Sequence, residues 1–198
     1  AVHFWLSDAA ELELKTSGST GEPKTILLAR SILYNSANAT LLVFNLHPKN
    51  TALLFLPCAF IGGKMMVFRA LVGGLHLHLM EPKAALPALS QHIDFVALTP
   101  LQAFNSIAEL SNFNTVLLGG APVDGGLQAK LNTLKTAVYH SYGMTETASH
   151  IALRNLNVPA EALEAYMTAL LMSINGWASW CAYQRWQARL EQRDDAQI

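Results

Sequence analysis

Thr16-Ser17-Gly18-Ser19-Thr20-Gly21-Glu22-Pro23-Lys24 decides how the rest of this 198-residue chain is read. The alternating run Glu11-Leu12-Glu13-Leu14-Lys15 before it predicts a strand, and apolar Thr25-Ile26-Leu27-Leu28 follows it. Four hydroxyls, two glycines and a lysine in nine residues pack poorly but suit an anion. Glycine lets backbone amides approach a ligand, and Ser and Thr hydroxyls donate to phosphate oxygens. Lys24 adds a mobile positive charge. The spacing Gly18-x-x-Gly21-x-x-Lys24 is not a Walker A loop, in which Ser or Thr directly follows the lysine. A solvated hairpin turn fits the same composition, so the cluster alone leaves both readings open.

Outward from the loop, strand-like and helix-like stretches alternate about five times. Arg30 to Leu46 predicts a helix with Asn35, Ser36, Asn38 and Thr40 as its polar face, ended by His47-Pro48. Thr51 to Leu56 is an unbroken apolar run, as in a strand covered on both faces. A helix over Lys64–Val72 and a strand over Leu75–Met80 follow. Another helix is expected from Glu81-Pro82 to about Gln91, then a strand over Asp94–Leu98. Pro100 suits the start of a helix over Leu101–Leu110. Thr115–Leu118 reads as a strand, Val123–Leu134 as a helix, and Ala137–His140 as a strand leading to Tyr142. The order predicts a layered α/β domain with a largely parallel sheet. His76 and His78 share a strand face, but no third ligand lies near them in sequence, so they receive no role.

Hydrophobic residues make up 52% of the chain and charged ones 14%, which excludes a disordered chain. The net charge is -1 and no Lys/Arg run occurs, so no nucleic-acid partner is expected. Cys58 and Cys181 fit neither a metal spacing nor a disulfide framework and read as buried free thiols of a reducing compartment. Composition changes after Asn157. Residues 158–198 hold Trp177, Trp180 and Trp186, and Leu163, Met167, Leu170, Leu171 and Ile174 recur at helical spacing. Ala165–Gln184 lacks charge, but its polar residues favour a packed helix pair over a membrane span. The expected division is 1–157 and a helical tail, 158–198, through which a homo-oligomer could form.

The loop from Thr16 to Lys24 resembles the phosphate loop of the adenylate-forming superfamily of AMP-binding enzymes. Tyr142-Gly143-Met144-Thr145-Glu146-Thr147 resembles that superfamily's second nucleotide motif, and Gly119-Gly120-Ala121-Pro122 stands before it in the matching order. The stretches Leu56–Leu71 and Tyr142–Asn157 are similar to the acyl-pocket regions of o-succinylbenzoate–CoA ligases. The resemblance spans about residues 11–157. It makes 1–157 part of the large N-terminal adenylation domain.

What the resemblance implies is specific. Thr16, Ser17, Gly18, Ser19, Thr20, Gly21 and Lys24 would hold the β- and γ-phosphates of ATP. Thr145 would bond the α-phosphate, and Glu146 would coordinate Mg²⁺. Tyr142 would lie against adenine, beside Gly143, with Gly119, Gly120, Ala121 and Pro122 along the ring edge. Lys64, Arg69 and His150 would be the candidate cations for the carboxylate of the acid that does not react. The implied chemistry is adenylation of a carboxylic acid, with transfer to CoA in a bacterial cytoplasm and a place in menaquinone synthesis. No Thr-Gly-Asp turn and no lysine after Lys135 occur, so a ligase without its C-terminal lid, and poor at turnover, is expected. A non-catalytic nucleotide-binding or interaction module is the competing reading, and a peripheral membrane protein is the third.

Overall fold

The computed structural model describes residues 1–15 and 25–157. The loop 16–24 and the tail 158–198 lie outside the described residues, with the phosphate contacts, the helix pair, Cys181 and the uncharged segment expected there.

Six strands form the main sheet in the order β4-β3-β5-β6-β7-β8. They are β3 (Thr51–Leu54), β4 (His76–Leu79), β5 (Ile93–Leu98), β6 (Phe113–Leu118), β7 (Ala137–Met144) and β8 (Ser149–Asn155). The first five pair in parallel, and β8 runs antiparallel to β7. The apolar runs reflect burial on both faces. Phe95, Ala97 and Leu117 point to one layer, with Met66, Val67 and Ala70 of α3 (Ile61–Gly73) and Leu41 of α2 (Arg30–Val43). Val96, Leu98, Val116 and Leu118 point to the other, with Ala103 of α4 (Pro100–Phe104) and Leu127 and Leu131 of α5 (Gly125–Leu131). The result is a three-layer α/β sandwich.

A short α1 (Val2–Leu6) and a hairpin of β1 (Glu11–Lys15) and β2 (Thr25–Ala29) flank this body. Lys15 pairs with Thr25 in the antiparallel register. The residues that flank 16–24 are therefore side by side.

Several expectations are corrected. Glu81–Gln91 is not helical. Pro87 lacks the N–H a helix would use there, and its ring clashes with the carbonyl four residues back. Instead the backbone N–H of Leu86 donates to Ser106 Oγ at 2.8 Å and that of Leu89 to Glu109 Oε2 at 3.1 Å. The helix expected over Leu101–Leu110 is split into α4 and a 3₁₀ turn, Ile107–Asn112. Asn105 and Ser106 sit at the break and spend their side chains on the 81–92 segment. α4 starts as Pro100 suggests, with Thr99 and Gln102 forming a capping box. Ser36 and Thr40 are not on a solvated face but buried, and Cys58, expected to be buried, is an exposed free thiol in the loop after β3. β7 runs through the Tyr142–Met144 motif, and β8 was not expected as a strand.

Candidate functional site

The strand order reverses around β3. α3 leads from β3 to β4 on one side, and β5 then pairs on the other side of β3. In an open parallel sheet, loops leaving the strands diverge at such a point and leave a crevice at the carboxyl ends. A cavity of about 770 Å³ opens there. Leu56 and Pro57 line it just after β3, Thr99 after β5, Gly119 and Gly120 after β6, and Gly143 to Thr145 at the end of β7. Leu14 and Lys15, the last residues before the loop 16–24, complete one wall.

Gly119, Gly120, Gly143, Thr145, Arg69 and His150 thus share one cavity. Ala121, Pro122, Tyr142, Glu146 and Lys64 are not on its lining. Glu146 is exposed directly beside Thr145 in a 3₁₀ turn, Thr145–Thr147. Lys64 Nζ donates to the carbonyls of Cys58 at 2.7 Å and Ala59 at 2.9 Å, holding the loop after β3. Gly120 has φ +85°, which favours glycine, although a Cβ there would meet nothing within 4 Å. A Cβ on Gly119 would fall 2.7 Å from Ser141 Oγ, which donates to the Leu118 carbonyl.

Arg69 is 1% exposed on α3. Its Nε donates to Thr40 Oγ1 at 3.1 Å, and its Nη2 to Ser149 Oγ at 3.1 Å and His150 Nδ1 at 3.3 Å. Among the described residues Nη1 meets only the Met66 thioether, at 3.6 Å, and no carboxylate pairs with the guanidinium. Burial lowers its pKa from the ordinary 12.5 to about 10, so it stays charged at neutral pH. Burial, with the adjacent Arg69 charge, pushes His150 down to about 3. His150 is therefore a neutral ring here, not the second cation the sequence suggested.

The turn that delivers these groups is strained. Ala148 and Ser149 have φ of 52° and 101°, a region that costs side-chain-bearing residues energy. Opposite them β7 carries a bulge at Tyr142/Gly143. Gly143 has no alternative: a Cβ there would lie 1.9 Å from the Ser149 carbonyl oxygen.

Sequence reasoning missed three supporting residues. His140 Nε2 donates to the Ala121 carbonyl at 3.1 Å and anchors the Gly119–Pro122 turn. Burial lowers its pKa, and the nearby Arg154 charge acts in the same direction. Gln102 Nε2 donates to the Lys83 carbonyl at 2.9 Å while its Oε1 accepts from the Thr99 N–H at 2.9 Å. Thr40 joins α2 to Arg69. The period-two pattern of β7 hinted at His140 by putting it on the face of buried Val138, and the spacing Thr99-x-x-Gln102 carried the signature of a capping box.

Among the described residues no three His, Cys, Asp or Glu side chains gather as a metal site. No helix among them is long and apolar enough to cross a membrane.

A family model described as AMP-binding enzyme matches residues 15–169. The chain is 30% identical over 166 residues to a 2-succinylbenzoate–CoA ligase of Geobacillus kaustophilus (strain HTA426), covering 76% of this chain and 34% of that protein. It thus spans about a third of the length of the ligase it matches. A crystal structure of an acyl-CoA synthetase (AMP-forming)/AMP-acid ligase II-like protein from Dyadobacter fermentans DSM 18053 aligns with TM-score 0.73 and 41% identity. That alignment covers 79% of this chain and 47% of the other. A stretch of 51 residues, 26% of this chain, is 47% identical to a probable inorganic carbon transporter subunit DabA of Ralstonia pickettii (strain 12J) and covers 6% of that protein.

Proposed function

Because this chain belongs to the AMP-binding enzyme family, we propose that it is the nucleotide- and acid-binding core of an AMP-forming acid–CoA ligase. The acid is an aromatic dicarboxylate of the o-succinylbenzoate type. The observation that carries this reading is the buried Arg69 guanidinium, which lines the cavity without an acidic partner among the described residues. A buried charge is costly unless it is paired, and a ligand carboxylate would supply the pair. The similarity to a 2-succinylbenzoate–CoA ligase supports the same substrate, as do the apolar walls given by Leu56, Phe60 and Ile61.

The nucleotide takes the other end of the cavity. Leu14 and Lys15, just before 16–24, line its wall, and Lys24 with the Thr and Ser hydroxyls would hold the β- and γ-phosphates. Thr145 bonds the α-phosphate, and the Gly119–Pro122 turn, tied down by His140, offers backbone groups to adenine. The substrate's reacting carboxylate attacks the α-phosphorus, an O–P bond forms, and pyrophosphate leaves. Two anions must approach each other, so the protein's part is to align them and to neutralise charge. Arg69 does this at the far carboxylate and Lys24 at the leaving group. Mg²⁺ would supply further neutralisation of the phosphates. Glu146, a single exposed hard oxygen ligand, fits an ion that keeps most of its waters. Transfer of the acyl group to CoA would complete the reaction in the whole protein.

Calorimetry with Mg²⁺-ATP and with AMP tests the nucleotide half. Lys24→Ala should weaken ATP about tenfold or more, the size of one charge-assisted contact, and AMP far less. Thr145→Val should weaken both. Equal losses for ATP and AMP in Lys24→Ala would contradict the role given to the loop.

A further inference from the structure

Thr40 is fully buried on α2, yet its hydroxyl is used on every side. His150 Nδ1 faces Arg69 Nη2 at 3.3 Å. A guanidinium has no acceptor, so Nδ1 must carry the lone pair. The proton of the neutral ring then sits on Nε2, 3.4 Å from Thr40 Oγ1. Thr40 Oγ1 thus accepts from His150 Nε2 and from Arg69 Nε, and donates to the Ser36 carbonyl at 3.0 Å. Ser36 Oγ donates to the Ala148 carbonyl at 2.7 Å, which returns the chain of bonds from α2 to the strained turn before β8. One hydroxyl orientation and one ring tautomer satisfy all of these contacts.

We propose that Thr40, with His150 as its partner, is a positioning residue that fixes the plane of the Arg69 guanidinium and thereby sets the preference for a substrate with two carboxylates. The inference rests on the reading of Arg69 given above. Nε and Nη2 are held by Thr40, Ser149 and His150 from two different elements, so the planar group cannot turn about its own stem. Nη1, whose partner is only a weak thioether acceptor, is left as the donor with capacity for a ligand. Without Thr40 the guanidinium would still be charged and buried, but its orientation would no longer be fixed from α2.

The test uses the full chain and three probes: o-succinylbenzoate and the two analogues that each lack one of its carboxylates. The readout is the ratio of affinity for the diacid to that for the analogue lacking the unreactive carboxylate, measured by calorimetry, with the other analogue expected to follow the diacid. Thr40→Val should narrow that ratio about tenfold, the size of one hydrogen bond to a charged group, and Thr40→Ser should restore it. His150→Gln keeps one acceptor and one donor and should keep the ratio, whereas His150→Leu should lose it. If Arg69→Ala leaves the ratio unaltered, the Arg69 reading itself fails. If Arg69→Ala abolishes it while Thr40→Val does not change it, the positioning role is overturned. Equal weakening of the diacid and of the analogue lacking the unreactive carboxylate in Thr40→Val would make Thr40 merely structural and also overturn it. Nitrogen NMR of the His150 ring, assigned with His150→Gln, needs no ligand. It should show the proton on Nε2, and a proton on Nδ1 would overturn the proposal whatever the chain binds.

Discussion

His150 and Arg69 share a buried corner in which only one of them carries charge, and this has a consequence for stability. The folded ring titrates near 3, below its ordinary 6.5. As pH falls below 6.5 the unfolded ring takes up a proton that the folded one refuses, so stability present above that pH is lost on acidification. One such group costs about 1 kcal/mol between about pH 7.5 and 5.5. His140, also lowered by burial, acts with the same sign. Urea unfolding should show this fall in wild type and a flatter profile in His150→Gln; identical profiles would contradict the neutral buried ring. Arg69 and His150 could be picked out from the sequence because they sit in stretches with a family resemblance. Ser36 and Thr40 could not. Two hydroxyls on a helix read as its wet side, and only the packing of α2 on α3 and β8 reveals that they face inward.

At the level of elements, the hairpin turn between β7 and β8 and the segment 81–92 shape the cavity, and each depends on a particular residue. Gly143→Ala would drive a Cβ into the Ser149 backbone, which cannot yield as a flexible side chain would. We expect a loss of more than about 4 kcal/mol, or failure to fold, in thermal unfolding. A soluble variant of wild-type stability would show that the bulge can be rebuilt. Gln102→Ala should cost about 1–3 kcal/mol, because the Lys83 carbonyl and the Thr99 N–H lose their partner. Gln102→Glu should cost a similar amount, since a carboxylate faces the Lys83 carbonyl with no hydrogen to give. A silent Gln102→Glu would mean that the segment is held elsewhere. The parallel strands were readable because burial on both faces leaves unbroken apolar runs such as Thr51–Leu54. The 81–92 segment was misread because its apolar spacing is helical. Its hydrogen bonds come from side chains twenty residues away, which no local pattern records.

On the scale of the whole molecule, the sheet order does the organising. Reversal around β3 opens the crevice, and the elements around it bring together residues far apart in the chain, such as Arg69 of α3 and His150 of β8, 81 positions apart. Fold class and motif order were available from the sequence. The buried guanidinium on the cavity lining was not, because its burial and the lack of a neighbouring carboxylate among the described residues are tertiary facts. The chain's span of about a third of its ligase relative leaves acyl transfer a matter for the whole protein, whereas the acid recognition proposed above can be tested on residues described here. The central claim, that Arg69 awaits a substrate carboxylate, is tested most directly by a crystal structure of this chain with o-succinylbenzoate bound. The account predicts a carboxylate oxygen within about 3 Å of the guanidinium, with the Thr40 and His150 contacts retained. The diacid bound elsewhere, or bound with both carboxylates away from Arg69, would contradict it.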